Sequence, residues 1–202
     1  MSRYRGPKAR VNRRLGGMIF ENAGAVKATD RKPDPPGMQP RPRKVSKYGE
    51  SMREKQKIKY YYGLHERQLR RLFDKASRMR GSTGENLLLL CESRLDSVVR
   101  VGGLTKTRPQ ARQGVAHGHF LLNGVPHNIP SAQLRAGDVV HVRRRANFES
   151  LYRSCLAETG GAAADWVALD EDQLKLIVHR PPSAEDVTLP VDVGLVVELL
   201  SR

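Results

Sequence analysis

The sequence predicts an α+β protein: an extended basic N-terminal arm, a helical subdomain, and a small module in which two helices pack on an antiparallel sheet. Three observations carry this reading. Pro7, Pro33, Pro35, Pro36, Pro40 and Pro42 interrupt any long helix across the first 47 residues. Apolar residues then recur at helical spacing, with Leu69, Leu72, Phe73, Ala76 and Met79 on one face. Beyond residue 118 the period becomes strand-like around Asn123-Gly124, the strongest short hairpin signal.

Taken in order, residues 10–15 form a short helix ended by Gly16-Gly17, and the rest of the arm is extended. Such an arm buries too little apolar surface to fold alone, so it is either disordered or ordered by a polyanionic partner. Residues 50–62 and 64–80 read as two helices stopped by Gly63 and Gly81. A third helix opens at Ser82, whose spacing to Glu85 is that of a capping box. It continues through Leu87, Leu88, Cys91, Leu95, Val98 and Val99 to Gly102-Gly103. A fourth starts at Thr107-Arg108-Pro109, with proline in its first turn, and closes at Gly118.

Residues 119–122 and 125–129 are the hairpin strands, and Gly137-Asp138 turns into residues 139–142. That strand runs out into Arg143-Arg144-Arg145. In the tail, residues 175–179, 187–189 and 195–200 read as strands and 160–164 as a loop. The resulting divisions are an arm (1–47), a helical domain (48–93), the two-helix-plus-sheet module (94–156) and acidic strands completing the fold (157–202).

The 202 residues carry 36 Lys+Arg against 21 Asp+Glu, a formal charge of +15. The first 150 residues hold +20 and the last 52 hold −5. A cationic surface this large repels itself unless a polyanion neutralises it, which points to nucleic acid. Arg67, Arg71, Lys75 and Arg78 form a one-sign helical stripe, either a track for a phosphate backbone or a solvated face. The longest apolar run, 87–91, is far below the roughly 20 residues of a membrane span, and no secretory signal is visible. Two isolated cysteines exclude a disulfide framework and suit a reducing compartment.

Catalytic readings fail individually. His65-Glu66 begins like a zinc-protease motif, but Leu69 stands where the second histidine is required. The turn 81–84 lacks a P-loop lysine, leaving either a phosphate-holding turn or a plain helix cap. No G-x-G-x-x-G follows a strand. His117 and His119 lack further metal ligands, Trp166 reads as a packing residue, and Cys91 as a small buried hydrophobe.

Arg94-Leu95-Asp96, Gly102, Thr107-Arg108, Ala111, Asn123-Gly124, Ile129-Pro130-Ser131 and Gly137-Asp138-Val139 occur in a characteristic order. They resemble the RNA-binding domain named after the fourth small-subunit ribosomal protein. Arg3-Tyr4, Gly6-Pro7-Lys8, Tyr48-Gly49, Arg53 to Lys57, Tyr62-Gly63, Glu66-Arg67-Gln68, Gly84 to Leu88 and Val197-Glu198-Leu199 resemble that ribosomal family itself. The same domain is appended to RNA-modifying enzymes and a stress protein, but the 52-residue tail is too short for the catalytic domain an enzyme requires.

The resemblance implies a cytoplasmic, non-enzymatic constituent of the small ribosomal subunit. It implies a primary binder of 16S rRNA at its five-prime domain that nucleates assembly of the subunit body. It further implies contact with the fifth small-subunit ribosomal protein, influence on translational accuracy, and an arm near mRNA as it enters the subunit. No cofactor, metal, membrane or small-molecule substrate is expected. Candidate RNA-binding residues are Arg3, Lys8, Arg10, Arg13, Arg14, Arg41, Arg43 and Lys44 in the arm. Arg53, Lys57, Arg67, Arg71, Lys75 and Arg78 follow in the helical domain, and Arg94, Lys106, Arg108, Arg112, Arg143, Arg144 and Arg145 in the module. Some relatives bind zinc through N-terminal cysteines; here none precedes Cys91, so a four-thiolate site cannot form. Residues 36–40, Pro-Gly-Met-Gln-Pro, depart from the usual Pro-Gly-Gln-His-Gly.

Overall fold

A computed structural model of the chain describes residues 4–38, 44–161 and 164–201. The chain divides into two compact units, residues 1–87 with 189–202, and residues 88–188. These limits cut the chain differently from the boundaries read from the sequence, because the C-terminal segment belongs to the N-terminal unit.

In the first unit the arm holds the short helix expected at residues 10–15 and a second helix where the sequence predicts extension. Helix α1 (Lys8–Leu15) ends at Gly16, whose φ of +67° is the left-handed cap that glycine adopts without strain. Helix α2 (Ala23–Arg31) was not foreseen. The arm orders because Asn12, buried at 1% exposure, clamps the returning chain. Its Nδ2 donates to Phe20 O (3.0 Å) and its Oδ1 accepts from Phe20 N (2.9 Å). Val11, Leu15, Ile19, Phe20 and Ala25 are thereby buried, a small core that the polar composition of the segment conceals.

Helix α3 (Lys47–Tyr61) is capped by Ser46, whose hydroxyl accepts from Gly49 N. Helix α4 (Glu66–Ser77) buries Leu69 and Ala76. Helix α5 (Thr83–Glu92) and helix α6 (Leu95–Val101) replace the single helix expected from Ser82 to Gly102-Gly103. The break lies at residues 93–94, where the backbone pairs with a loop instead. Leu134 N donates to Ser93 O (2.8 Å), Leu95 N to Ala132 O (2.8 Å), and Arg94 bridges Gln133.

The second unit continues with α7 (Arg108–Ala116), capped by Thr107 with proline in the first turn as expected. Strands β1 (Phe120–Leu122) and β2 (Val125–His127) form the foreseen hairpin. Asn123 and Gly124 both have positive φ, the combination a two-residue hairpin turn of this twist requires. Strand β3 (Val139–Val142) leads into α8 (Ala146–Thr159), then β4 (Val167–Asp170) and β5 (Lys175–Val178). Neither α8 nor β4 was read from the sequence. The sheet is wholly antiparallel, in the order β2-β1-β3-β5-β4.

Its inner side chains, Phe120, Val140, Val142, Leu176 and Val178, join Leu95, Val98, Val99, Ala111, Val115, Tyr152 and Trp166 in one core. The fold class is therefore α+β, with helices packed on one antiparallel sheet as predicted. Gly102 shows how closely α6 approaches β5: an added Cβ would lie 2.5–3.1 Å from the Leu176 side-chain carbons. Gly102→Ala should thus destabilise the second unit by about 1–3 kcal/mol through overpacking. Trp166, the chain's one tryptophan and 1% exposed, reports the loss as a lower urea midpoint by fluorescence.

The tail departs furthest from expectation. Residues 184–186 form a single 3-10 turn, 187–189 are in no strand, and 195–200 lie in helix α9 (Val193–Ser201). A short continuous apolar run fits a buried strand or a helix equally. Asp192 decides locally, its Oδ1 accepting from Leu195 N (3.2 Å) in the first turn, and Asp192 N in turn donates to Glu54 of α3.

Candidate nucleic-acid interface

Many of the cationic residues are exposed, and several are paired internally. In the first unit Arg10 and Arg14 stand four apart on α1 and are exposed, while Arg13 is half-buried. Lys8 lies with its ammonium 5.8 Å from the Phe20 ring centre, and Lys44 is exposed. Arg3, Arg41 and Arg43 lie outside the described residues.

On α3, Arg53 is exposed, whereas Lys57 pairs with Glu54 at 2.6 Å. Lys55 and Lys59 both reach Glu66, at 2.6 and 3.1 Å. Burial alone would raise the Glu66 carboxyl, but these two lysines hold it below its ordinary range. On α4, Arg67, Arg71 and Lys75 are exposed, as is Arg78 at its C-terminus. The buried Leu69 and Ala76 turn this stripe outward. Arg70, between stripe residues, and Arg80, just beyond the stripe, are also exposed and were not singled out from the sequence.

The second unit treats its arginines differently. Arg94 and Arg112 are buried, at 2% and 6% exposure, on either side of Asp96. Arg94 Nε donates to Asp96 Oδ1 (3.0 Å) and its Nη2 to Oδ2 (2.8 Å); Arg112 Nη1 donates to Oδ2 (3.0 Å). Arg108 Nη2 donates to Glu92 Oε1 (2.9 Å), with Glu92 at 1% exposure. These three were expected to meet phosphate. Their guanidinium groups fasten α5, α6 and α7 together, because a buried carboxylate requires a paired cation. Lys106 is exposed and paired with Glu158.

Around β3, Arg144 and Arg145 are exposed and Arg143 is half-exposed. Arg145 lies over the Phe148 ring at 5.6 Å. Arg135, also exposed, was missed by the sequence reading. The neighbouring histidines add little charge at neutral pH. Burial, with Lys175 and Arg144 close by, pushes His141 below the usual imidazole range. His119 is lowered by burial and by His117 and Arg145; its ring stacks on Phe148 and its Nδ1 meets the Tyr152 hydroxyl at 2.9 Å.

The lowered His119 carries a stability consequence. The unfolded imidazole takes up its proton near pH 6.5, before the folded one does. Its contribution is therefore complete above that pH and is lost as pH falls toward the folded value. His119→Asn should shrink the drop in urea midpoint between pH 7.5 and 5.5, with Trp166 fluorescence as the readout.

Among the described residues no three His, Cys, Asp or Glu side chains converge into a metal-binding group. No described helix is long and apolar enough to cross a membrane. What the arrangement offers is a set of outward, mostly arginine cations on α1, α3, α4 and the end of β3. Arginine suits phosphate and folded RNA, since its planar fork makes paired hydrogen bonds and stacks on bases.

Comparison with known proteins gives the same direction independently. Residues 3–92 match the family described as ribosomal protein S4/S9 N-terminal domain, and residues 93–140 match the S4 domain. The chain is 57% identical to small ribosomal subunit protein uS4 of Rhodopirellula baltica, over all of both chains. It is 43% identical to that of Salinibacter ruber and 42% to that of Rubrobacter xylanophilus, again over the full length of each. Two adjoining domain matches and end-to-end identity leave a single assignment: the chain belongs to the uS4 family of small ribosomal subunit proteins.

Proposed function

We propose that the chain is a structural constituent of the small ribosomal subunit that binds 16S rRNA at its five-prime domain. The observation that carries this is the one-sign exposed stripe of α4, Arg67, Arg71, Lys75 and Arg78, together with Arg10 and Arg14 of α1. Each cation that neutralises a phosphate releases condensed counterions, a favourable contribution that weakens steeply with salt. Shape, phosphates and 2′-hydroxyls of folded RNA supply the remainder of recognition.

In this reading the exposed cations bind, and Arg94, Arg108 and Arg112 position. By fastening α5 to α7 they fix the geometry from which the hairpin and Arg143, Arg144 and Arg145 approach RNA. An early binder with a rigid module orders the RNA around it, which supports a role in nucleating assembly of the subunit body. Contact with mRNA through Arg41, Arg43 and Lys44, and with the fifth small-subunit protein, belongs to the same proposal, as does an influence on accuracy. No catalytic role is proposed.

Co-sedimentation of the tagged full chain with small subunits at moderate salt tests the reading. The chain should travel with the subunit and leave it as salt rises. Recovery only as free protein would contradict it.

A further inference from the structure

A groove between α1 and α3, about 470 Å³ in volume, has chemistry that phosphate binding alone does not use. Val11 and Leu15 of α1 and Met52 of α3 give it apolar walls. Tyr4 and Tyr60 also line it, their rings meeting edge to face at 5.1 Å. Three exposed arginines share the same lining, Arg10, Arg14 and Arg53, and none is ion-paired with a described residue. No acidic side chain is among the described residues that line it.

Gln56 completes the set. Its Oε1 is buried and accepts no hydrogen bond from any described group, while its Nε2 meets only the Met52 sulfur at 3.8 Å. An unsatisfied buried acceptor is costly in an apolar setting, and a ligand donor would remove that cost. Aromatic faces, an amide and surrounding arginines are the parts with which proteins hold a splayed-out base and its phosphate. A glutamine amide matches the edge of adenine best, accepting from its exocyclic amine.

We propose that this groove receives one unstacked adenosine of the bound RNA, its base against Tyr60 and Met52, its amine on Gln56 and its phosphates among the three arginines. The proposal rests on the RNA-binding reading above and deepens it from charge neutralisation to base selection.

The test uses the full chain and four fluorescein-labelled RNA hairpins of identical stem, read by fluorescence anisotropy at one salt concentration. One carries a single bulged adenosine, one a bulged purine riboside lacking the amine, one an abasic bulge, and one is fully paired. The bulged adenosine should bind about tenfold more tightly than the abasic and paired forms, the scale of one base–aromatic stack. Tyr60→Leu should erase that preference and leave the affinity for the paired hairpin unchanged. Gln56→Leu should bring adenosine down to the level of purine riboside, and keeps the test decisive should Tyr60→Leu fail to fold by circular dichroism. Equal binding of all four hairpins, or a preference for adenosine over purine riboside that survives Gln56→Leu, overturns the groove assignment while RNA binding stands. Absence of salt-dependent binding to any hairpin overturns both.

Discussion

Asp96→Ala should cost the second unit about 3–5 kcal/mol, the scale of removing one partner from a buried ion pair. The carboxylate is 5% exposed and receives three charge-assisted hydrogen bonds, two from Arg94 and one from Arg112. Removing it takes from the buried Arg94 guanidinium the carboxylate that accepts two of its N–H groups, and from Arg112 one of its hydrogen bonds. Urea unfolding followed through Trp166, buried in the same core, should show the midpoint collapse. Asp96→Asn keeps the shape but not the charge, and should fall close to the alanine variant rather than the wild type. A wild-type midpoint in either variant would mean that these arginines are satisfied elsewhere. The same geometry changes what Arg94→Ala and Arg112→Ala should do: fold stability responds first, and RNA affinity only through it.

The opposite behaviour is expected on α4. Arg67→Gln, Arg71→Gln and Arg78→Gln together should leave folding nearly intact, since exposed substitutions usually stay within about 0.5 kcal/mol each. RNA binding should weaken, and the slope of log affinity against log salt should fall by about 2–3, close to 0.7–0.9 per lost phosphate contact. The relevant measurement is a salt titration of binding to the five-prime domain of 16S rRNA. An unchanged slope would show that this stripe is only a solvated face, the alternative that its sequence spacing leaves open.

Much of this was legible in the sequence because it depends on local chemistry. The Asn123-Gly124 hairpin, the Thr107 cap with Pro109, and the glycine stops at Gly16 and Gly63 follow from backbone preferences that neighbours do not alter. What escaped depends on distant partners. Asn12 looked like one more polar arm residue until its amide was found clamping Phe20. The helix expected from Ser82 to Gly102-Gly103 breaks because residues 93–96 pair with residues 130–134, a pairing no local signal announces. The 195–200 run is helical through its capping by Asp192, and α8 was hidden because Ala146 to Thr159 mixes apolar and polar residues without a strong period.

The site shows the same division. Charge count and spacing identified the arginines, but could not separate those facing solvent from those facing Asp96 and Glu92. Every cation looks alike until burial is known. The acidic tail was read as strands; 175–179 is one, as β5, while 195–200 is helical, and the tail contributes to both units through β4, β5 and α9.

A protein–RNA cross-linking map on intact small subunits tests the central claim most directly, that exposed cations bind RNA while buried ones hold the scaffold. Cross-links should gather at Arg10, Arg14, Arg53, Arg67, Arg71 and Arg78, with none at Arg94 or Arg112. A map centred on Arg94 and Arg112, or one confined to the acidic residues after 157, would contradict it.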